Sequence, residues 1–543
     1  MAHQPDYTTW SQNDLIARVT QLETQLRALN TTTTTASKSS KTKPLKKPKP
    51  FDPSKYTTRL IALKFAYLGG NYNGFEHHSN NTTPLPTIEE ELWKALRKTK
   101  LIFPRWREGQ RVEEDVSWEG CEYSKCGRTD RGVSAFGQVV GVRVRSARPR
   151  DRGVVEGGGG DEEMTDTQDA EDAERPATKA FDPVRDELPY IQLINRVLPP
   201  DIRVLAWCPS PPQDFSARFN CKERRYRYFF TNPAYIPLPG SGPQSSAAGR
   251  TGEGWLDIEA MNEAAKKYEG LNDFRNLCKI DPSKQITSWE RRIFHAGIYE
   301  VDPSQEAQNT AVGTASPKLY YFEVRGSAFL WHQVRHLVAV LFLVGQGYEK
   351  PSIVDELLDV HRTPARPVYE MASDIPLVLW DCIFPDPEKL ANGDHADGSG
   401  SSDQGYVDAL DWVYVGDEMG GRDQSKRSTT GIEDGKHGRN GIMDELWSLW
   451  RKRKMDEVLA WSLMDVVSRQ GPSIQLDHLA TCNGQESSDR VFDGSEKPRT
   501  VGDYVPVMQR ERMEPPDVVN ARYAARKGLT GAARSPNDTD MGD

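Results

Sequence analysis

The 543-residue chain has no apolar run long enough to cross a bilayer. Its longest, Leu337 to Val344 in "LVAVLFLVG", covers less than half of the roughly 20 residues a spanning helix needs. The opening "MAHQPDYTTW" lacks the basic and apolar regions of a secretory signal. Both absences lead to the expectation of an intracellular protein, in the nucleus, the cytoplasm or both. Cysteine is sparse and scattered: Cys121, Cys126, Cys208, Cys221, Cys278, Cys382 and Cys482 contain no CxxC pair. Neither a disulfide framework nor a thiolate zinc site is therefore expected, and reduced thiols suit those compartments. An excess of positive charge is also missing, since the formal net charge is -9. Spread evenly, that charge would argue against a nucleic-acid partner. It is concentrated instead: Glu156 to Glu174 holds nine acids and no base, and Asp386 to Glu418 nine acids against Lys389 alone. The remaining body is basic and the inserts are acidic.

A regular 30-residue βαβ beat is absent too. Strands and helices are interspersed irregularly, which predicts an α+β fold with a mainly antiparallel sheet. Residues 1–55 read as a short coiled-coil-like helix (Leu15, Val19, Leu22, Leu26, Leu29) followed by a basic linker. Residues 56–145 form a first half, with a strand in "RLIALKFAYLGGNYNGF" and a helix in "TIEEELWKALRKTK" whose Thr87 and Glu90 are spaced as a capping box. Residues 146–183 read as a disordered acidic insertion and 184–384 as a second half, with a long helix from Phe329. Residues 385–440 read as a disordered acidic linker. Residues 441–470 read as a helix whose Trp447, Trp450, Leu459 and Trp461 pack onto the body, and 471–543 as a mostly irregular tail.

Three stretches contain residues suited to chemistry. In "KCGRTDRGVS", Asp130 stands between Arg128 and Arg131 in a Gly-rich turn; turn geometry alone explains such an aspartate. In "FLWHQVRHLVAVLFLVG", Arg335 borders two apolar stripes, so its guanidinium is either partly buried and in need of an anion or snorkelling to the helix edge. His332 and His336 have zinc-compatible i, i+4 spacing, but Gln333 stands where a zincin would have glutamate, and two histidines on a solvated face are expected. In "DFSARFNCKERRYRYFF", Arg218, Lys222, Arg224, Arg225 and Arg227 interleave with Tyr226 and Tyr228. That composition suits RNA phosphates and bases, or equally a half-buried strand with a solvated basic face.

In order along the chain, "YLGGNYNGF", "GRTDRGVSAFGQVV", "DFSARFNCKERRYRY" and "GSAFLWHQVRHLVAVLFLVGQG" resemble the TruA-like tRNA pseudouridine synthases, over roughly Tyr56 to Phe384. The resemblance implies two α/β halves around a central, mainly antiparallel sheet with a basic cleft. It also implies a tRNA substrate, with no metal and no cofactor, and a homodimer by analogy with bacterial relatives. It makes Asp130 the catalytic nucleophile or base and Arg128 the residue that helps extrude the target base. Tyr226 becomes the ring against the uracil, and Arg335 the salt-bridge partner of the aspartate. The basic residues Arg131, Arg218, Lys222, Arg224, Arg225 and Arg227 are then expected to contact RNA. "NDFRNLCKID", "RPVYEMASDIPLVLWDC" and "YVPVMQRERMEPPDVVNARY" resemble the eukaryotic branch acting at positions 38 and 39, in the anticodon stem-loop. Two readings from other classes stand beside it: a catalytically silent RNA-binding or tRNA-folding protein, and a zinc hydrolase on His332 and His336.

Overall fold

The computed structural model describes residues 51–78, 83–106, 115–149, 181–237, 250–301, 317–391, 405–417, 435–437, 441–470 and 489–528. The predicted N-terminal helix and nearly all of the 146–183 insertion lie outside them. Within the unit that begins at Ser54, ten strands of the described residues form one sheet. They are β1 (Thr57–Tyr67), β2 (Ser124–Lys125), β3 (Ser134–Ser146), β4 (Ile202–Cys208), β5 (Glu223–Asn232), β6 (Gly270–Asp273), β7 (Glu290–Glu300), β8 (Lys318–Gly326), β9 (Leu377–Ile383) and β10 (Val413–Tyr414). Their order is β10-β4-β1-β3-β9-β5-β8-β7-β6, with β2 paired to β3. Every pairing is antiparallel except that of β3 with β9, through Ser134 opposite Val378 and Ala135 opposite Leu379. That parallel join brings the chain after Asp130 beside the second half of the sheet.

Each half has its own core. In the first, Ile61, Leu63 and Phe65 of β1 pack with Ile88, Leu92, Trp93 and Leu96 of the Ile88–Lys98 helix. Thr87 caps that helix by accepting from the Glu90 amide at 3.3 Å, as its spacing predicts. In the second, the Gln333–Gly345 helix is buried along its whole length and packs with β5, β7 and β8 residues. A helix enclosed on every side has no solvated stripe. It also starts four residues later than the pattern predicts, because His332 adopts a left-handed conformation, φ 60°, just ahead of it.

Three expectations are corrected here. The stretch after residue 470 is more than an irregular tail: Asp489–Val491 pairs with Arg499–Val501, and Pro516–Lys527 is helical. Val491, Phe492 and Val507 enter the second core, and the Gln346 side chain both donates to the Phe492 carbonyl (2.6 Å) and accepts from its amide (2.8 Å). Part of the 385–440 linker is also ordered, since β10 adds an edge strand and Tyr406 donates its amide to buried Glu223. The Ile442–Ser468 helix forms where expected and meets the body at its first turn, where Glu445 pairs with Arg203 at 2.7 Å, but its bulky apolar residues are not buried against it: among its residues only Ile442 is buried, while Trp447 is 62 % and Leu459 68 % exposed. Its apolar side chains are spread around the helix, so no single stripe can face the body.

Candidate active site

The loop between β2 and β3 carries Asp130, and side chains from several elements hold it. Gln138 of β3 accepts from the Gly127 amide at 3.1 Å and donates to the Gly127 carbonyl at 3.0 Å, as a neighbouring strand would. The Thr129 hydroxyl meets the Tyr67 phenol at 2.7 Å in a buried contact, and the Thr129 carbonyl accepts from the Phe75 amide. Gly132, at φ 83°, lets the Val133 amide turn back to the Asp130 carbonyl. The "YLGGNYNGF" stretch is the other half of this contact. A side chain at Gly69 would strike the Val133 carbonyl, and one at Gly74 the Thr129 carbonyl. The two motifs therefore co-occur because their backbones touch.

Asp130 faces the start of the central helix. Trp331 Nε1 donates to its Oδ1 at 3.3 Å, and His332 Nε2 lies 3.2 Å from its Oδ2. The left-handed turn at His332 is what aims that ring back at the loop. Tyr226, edge-on to Phe329 with centroids 5.1 Å apart, lines the same pocket with Arg128, Val133, Leu330, Val334 and Arg335. Asp130, Arg128, Tyr226 and Arg335 are thus brought together. Arg128 is held by Glu76 at 3.3 Å.

The expected ion pair between Arg335 and Asp130 is not what the structure has. Arg335 Nε donates to the Ala372 carbonyl at 2.7 Å, and its Nη1 lies 3.9 Å from Asp374. The chain entering β9 supplies a nearer anion, and Asp374 in turn lies against Gly132 of the catalytic-candidate loop. The arginine thus braces the loop's neighbour, and Trp331 and His332 take the contacts to Asp130.

The histidines are corrected as well. Neither is solvated: His332 is directed at Asp130, and buried His336 accepts from Arg366 Nη1 through Nε2 at 2.6 Å. Burial, then the charges of Arg366, His332, Arg335 and Lys279, hold the His336 pKa well below the ordinary 6.5. Folded His336 is neutral where an unfolded one takes up a proton. Stability should therefore fall as pH drops through about 6.5, by up to about 1.4 kcal/mol per pH unit, and be unaffected above it. Urea midpoints compared at pH 7.5 and 5.5 should show a smaller loss for His336→Gln than for the natural sequence.

Of the six residues expected on RNA, Arg131 is exposed and Arg218 and Lys222 half-exposed. Arg224 is not available: it is 2 % exposed and donates to the Cys126 and Ser327 carbonyls. Arg225 pairs with Glu223 at 2.7 Å, and Arg227 pairs with Glu323 at 2.8 Å while lying over the Trp380 ring. β5 is flanked by β8 and β9, which surround its side chains with partners that an edge strand would lack. Trp331, Asp374 and Gln138 are not among the site residues the sequence suggests, and His332 enters there only as a zinc ligand in a competing reading. Their motif neighbours were in view, but periodicity carries no sign of where a left-handed residue aims its ring.

The pocket thus combines the Asp130 carboxylate, the Tyr226 ring and the guanidinium groups of Arg128 and Arg335. The family model described as tRNA pseudouridine synthase matches residues 264–385. The tRNA pseudouridine(38/39) synthase of Saccharomyces cerevisiae is 33 % identical over 539 residues, covering 96 % of this chain and 92 % of the relative. That of Mus musculus is 42 % identical over 336 residues, covering 62 % of this chain and 57 % of the relative. The tRNA pseudouridine synthase A of Methanothermobacter thermautotrophicus is 28 % identical over 338 residues, covering 62 % and 86 %. The chain belongs to the tRNA pseudouridine synthase family of the TruA type and is an isomerase.

Proposed function

We propose that this isomerase converts uridine to pseudouridine at positions 38 and 39, in the anticodon stem-loop of tRNA, with Asp130 as the catalytic carboxylate. The observation that carries the reading is the convergence of Asp130, Tyr226, Trp331 and His332 on one pocket. The relatives from yeast and mouse, which bear the 38/39 name, support the position. The reaction breaks the bond from C1′ to uracil N1, turns the uracil while it is held, and joins C5 to C1′, releasing the C5 hydrogen to solvent as a proton while N1 takes one up. No group is transferred to or from another molecule and no electron is gained or lost, so the protein need supply only binding, orientation and a carboxylate.

Extruding the target base costs a few kcal/mol, which phosphate contacts and stacking on Tyr226 would offset. In this reading Arg128 fills the vacated position, exchanging Glu76 for RNA. Asp130 then attacks C1′, or removes a proton from C2′. Trp331 and, where its Nε2 bears hydrogen, His332 donate to the carboxylate and fix its direction in either route.

Tritium release tests the assignment. Stem-loop RNA with 5-tritiated uridine confined to positions 38 and 39 should lose its label to water. RNA with cytidine at both positions and labelled uridine elsewhere should retain it. Equal release from both would overturn the positional assignment.

A further inference from the structure

Cys126, Cys221 and Cys382 are far apart in sequence, yet their sulfur atoms all lie within 4.8 Å of one another. Cys126 opens the loop that ends at Asp130, Cys221 leads into β5, and Cys382 sits on β9. They are buried, at 4 %, 0 % and 0 % exposure. Sequence reading found no thiolate site because it looks for paired cysteines in one stretch, whereas this group is assembled by the sheet.

Beside the three sulfurs lies Arg224. Its guanidinium stays charged under all ordinary conditions. Its hydrogen bonds go to the Cys126 carbonyl at 3.0 Å and the Ser327 carbonyl at 2.9 Å, and its Nε has no acceptor. Among the described residues no carboxylate forms an ion pair with it. A buried cation needs a compensating anion. The sulfurs are placed to provide one.

We propose that Cys126, Cys221 and Cys382 bind a divalent thiophilic cation of the zinc type as three thiolates, with Arg224 neutralising the complex. Binding releases three protons. Two positive charges on the metal and three negative sulfurs leave one negative charge, which the guanidinium cancels. A monovalent ion such as copper(I) would leave a second negative charge buried and uncompensated. Tetrahedral zinc with bonds of about 2.3 Å sets its sulfurs about 3.8 Å apart, so the three side chains need close by no more than about 1 Å. A solvent pocket lined by Cys126, Arg128, Arg218 and Arg224 borders the group, and a water entering from it would complete the coordination. The ion would touch no reacting atom. It would tie the Asp130 loop to β5, which carries Tyr226, and to β9.

The test is metal analysis of the purified full-length protein alongside Cys382→Ser and Cys208→Ser, the latter a buried cysteine of β4 outside the group. About one zinc per chain is expected in the natural sequence and in Cys208→Ser, and its loss in Cys382→Ser. Should Cys382→Ser fail to fold, the natural sequence stripped with chelator and reloaded with cobalt(II) reads the same site. Its sulfur-to-metal absorption should have the intensity of three thiolates. Natural protein that takes up neither zinc nor cobalt overturns the proposal. So does metal retained by folded Cys382→Ser, a cobalt band too weak for three sulfurs, or a disulfide joining two of the three in the purified chain.

Discussion

Asp130→Asn is expected to lose turnover by roughly 10³-fold or more while binding tRNA with nearly unchanged affinity. The amide keeps the size of the carboxylate and can still accept from Trp331, so the loop held by Gln138, Tyr67 and Phe75 should stay in place. What disappears is the anionic oxygen, without which neither attack on C1′ nor proton removal from C2′ can proceed. Single-turnover tritium release measures the first effect and filter binding of the stem-loop the second. Turnover within tenfold of the natural enzyme would assign the chemistry to another group, and Asp374, beside Gly132, would be the next carboxylate to replace.

Gly69→Ala should be the most destabilising single methyl in the candidate site. Its Cβ would sit 2.1 Å from the Val133 carbonyl oxygen and 2.5 Å from the Val133 carbonyl carbon. Both are backbone atoms, so no rotamer change relieves the overlap; either the end of β1 or the Asp130 loop must move. A loss of about 3 kcal/mol or more is expected, with turnover lost alongside it. The neighbouring Gly70 is the control, because a Cβ there meets nothing within 4 Å. Gly70→Ala should stay within about 0.5 kcal/mol of the natural sequence. Urea denaturation of the two variants decides the matter, and equal midpoints would show that the two loops do not pack as described.

The contrast between these glycines shows how far a motif can be read. "YLGGNYNGF" announces a strand and a tight loop, but two adjacent glycines look alike until the loop across from them is in place. Thr87 capping and the strand in "ERRYRYFF" were legible because both depend on neighbours a few residues away. The burial of Arg224 was not, because it depends on β8, β9 and the loop from Cys126 closing around β5. For the same reason the 489–508 segment looked irregular: its strands are short, and its apolar residues are buried by the central helix, not by one another. The Trp-rich helix from Ile442 erred in the opposite direction, since hydrophobic content predicts burial only when it is gathered on one face.

Taken alone, the sequence determined the α+β class, the acidic character of the inserts, the first strand and the capped helix that follows it, and the family through four ordered motifs that include Asp130, Tyr226 and Arg335. These are local patterns or fixed residue identities, and each survives without knowledge of what lies across the fold. Only the tertiary structure decided which groups meet. It gave Asp130 to Trp331 and His332, turned Arg335 toward Ala372 and Asp374, and gathered three distant cysteines around a buried arginine. A contact between residues tens to hundreds of positions apart is set by sheet order and by the direction of one left-handed turn, and neither leaves a period in the chain.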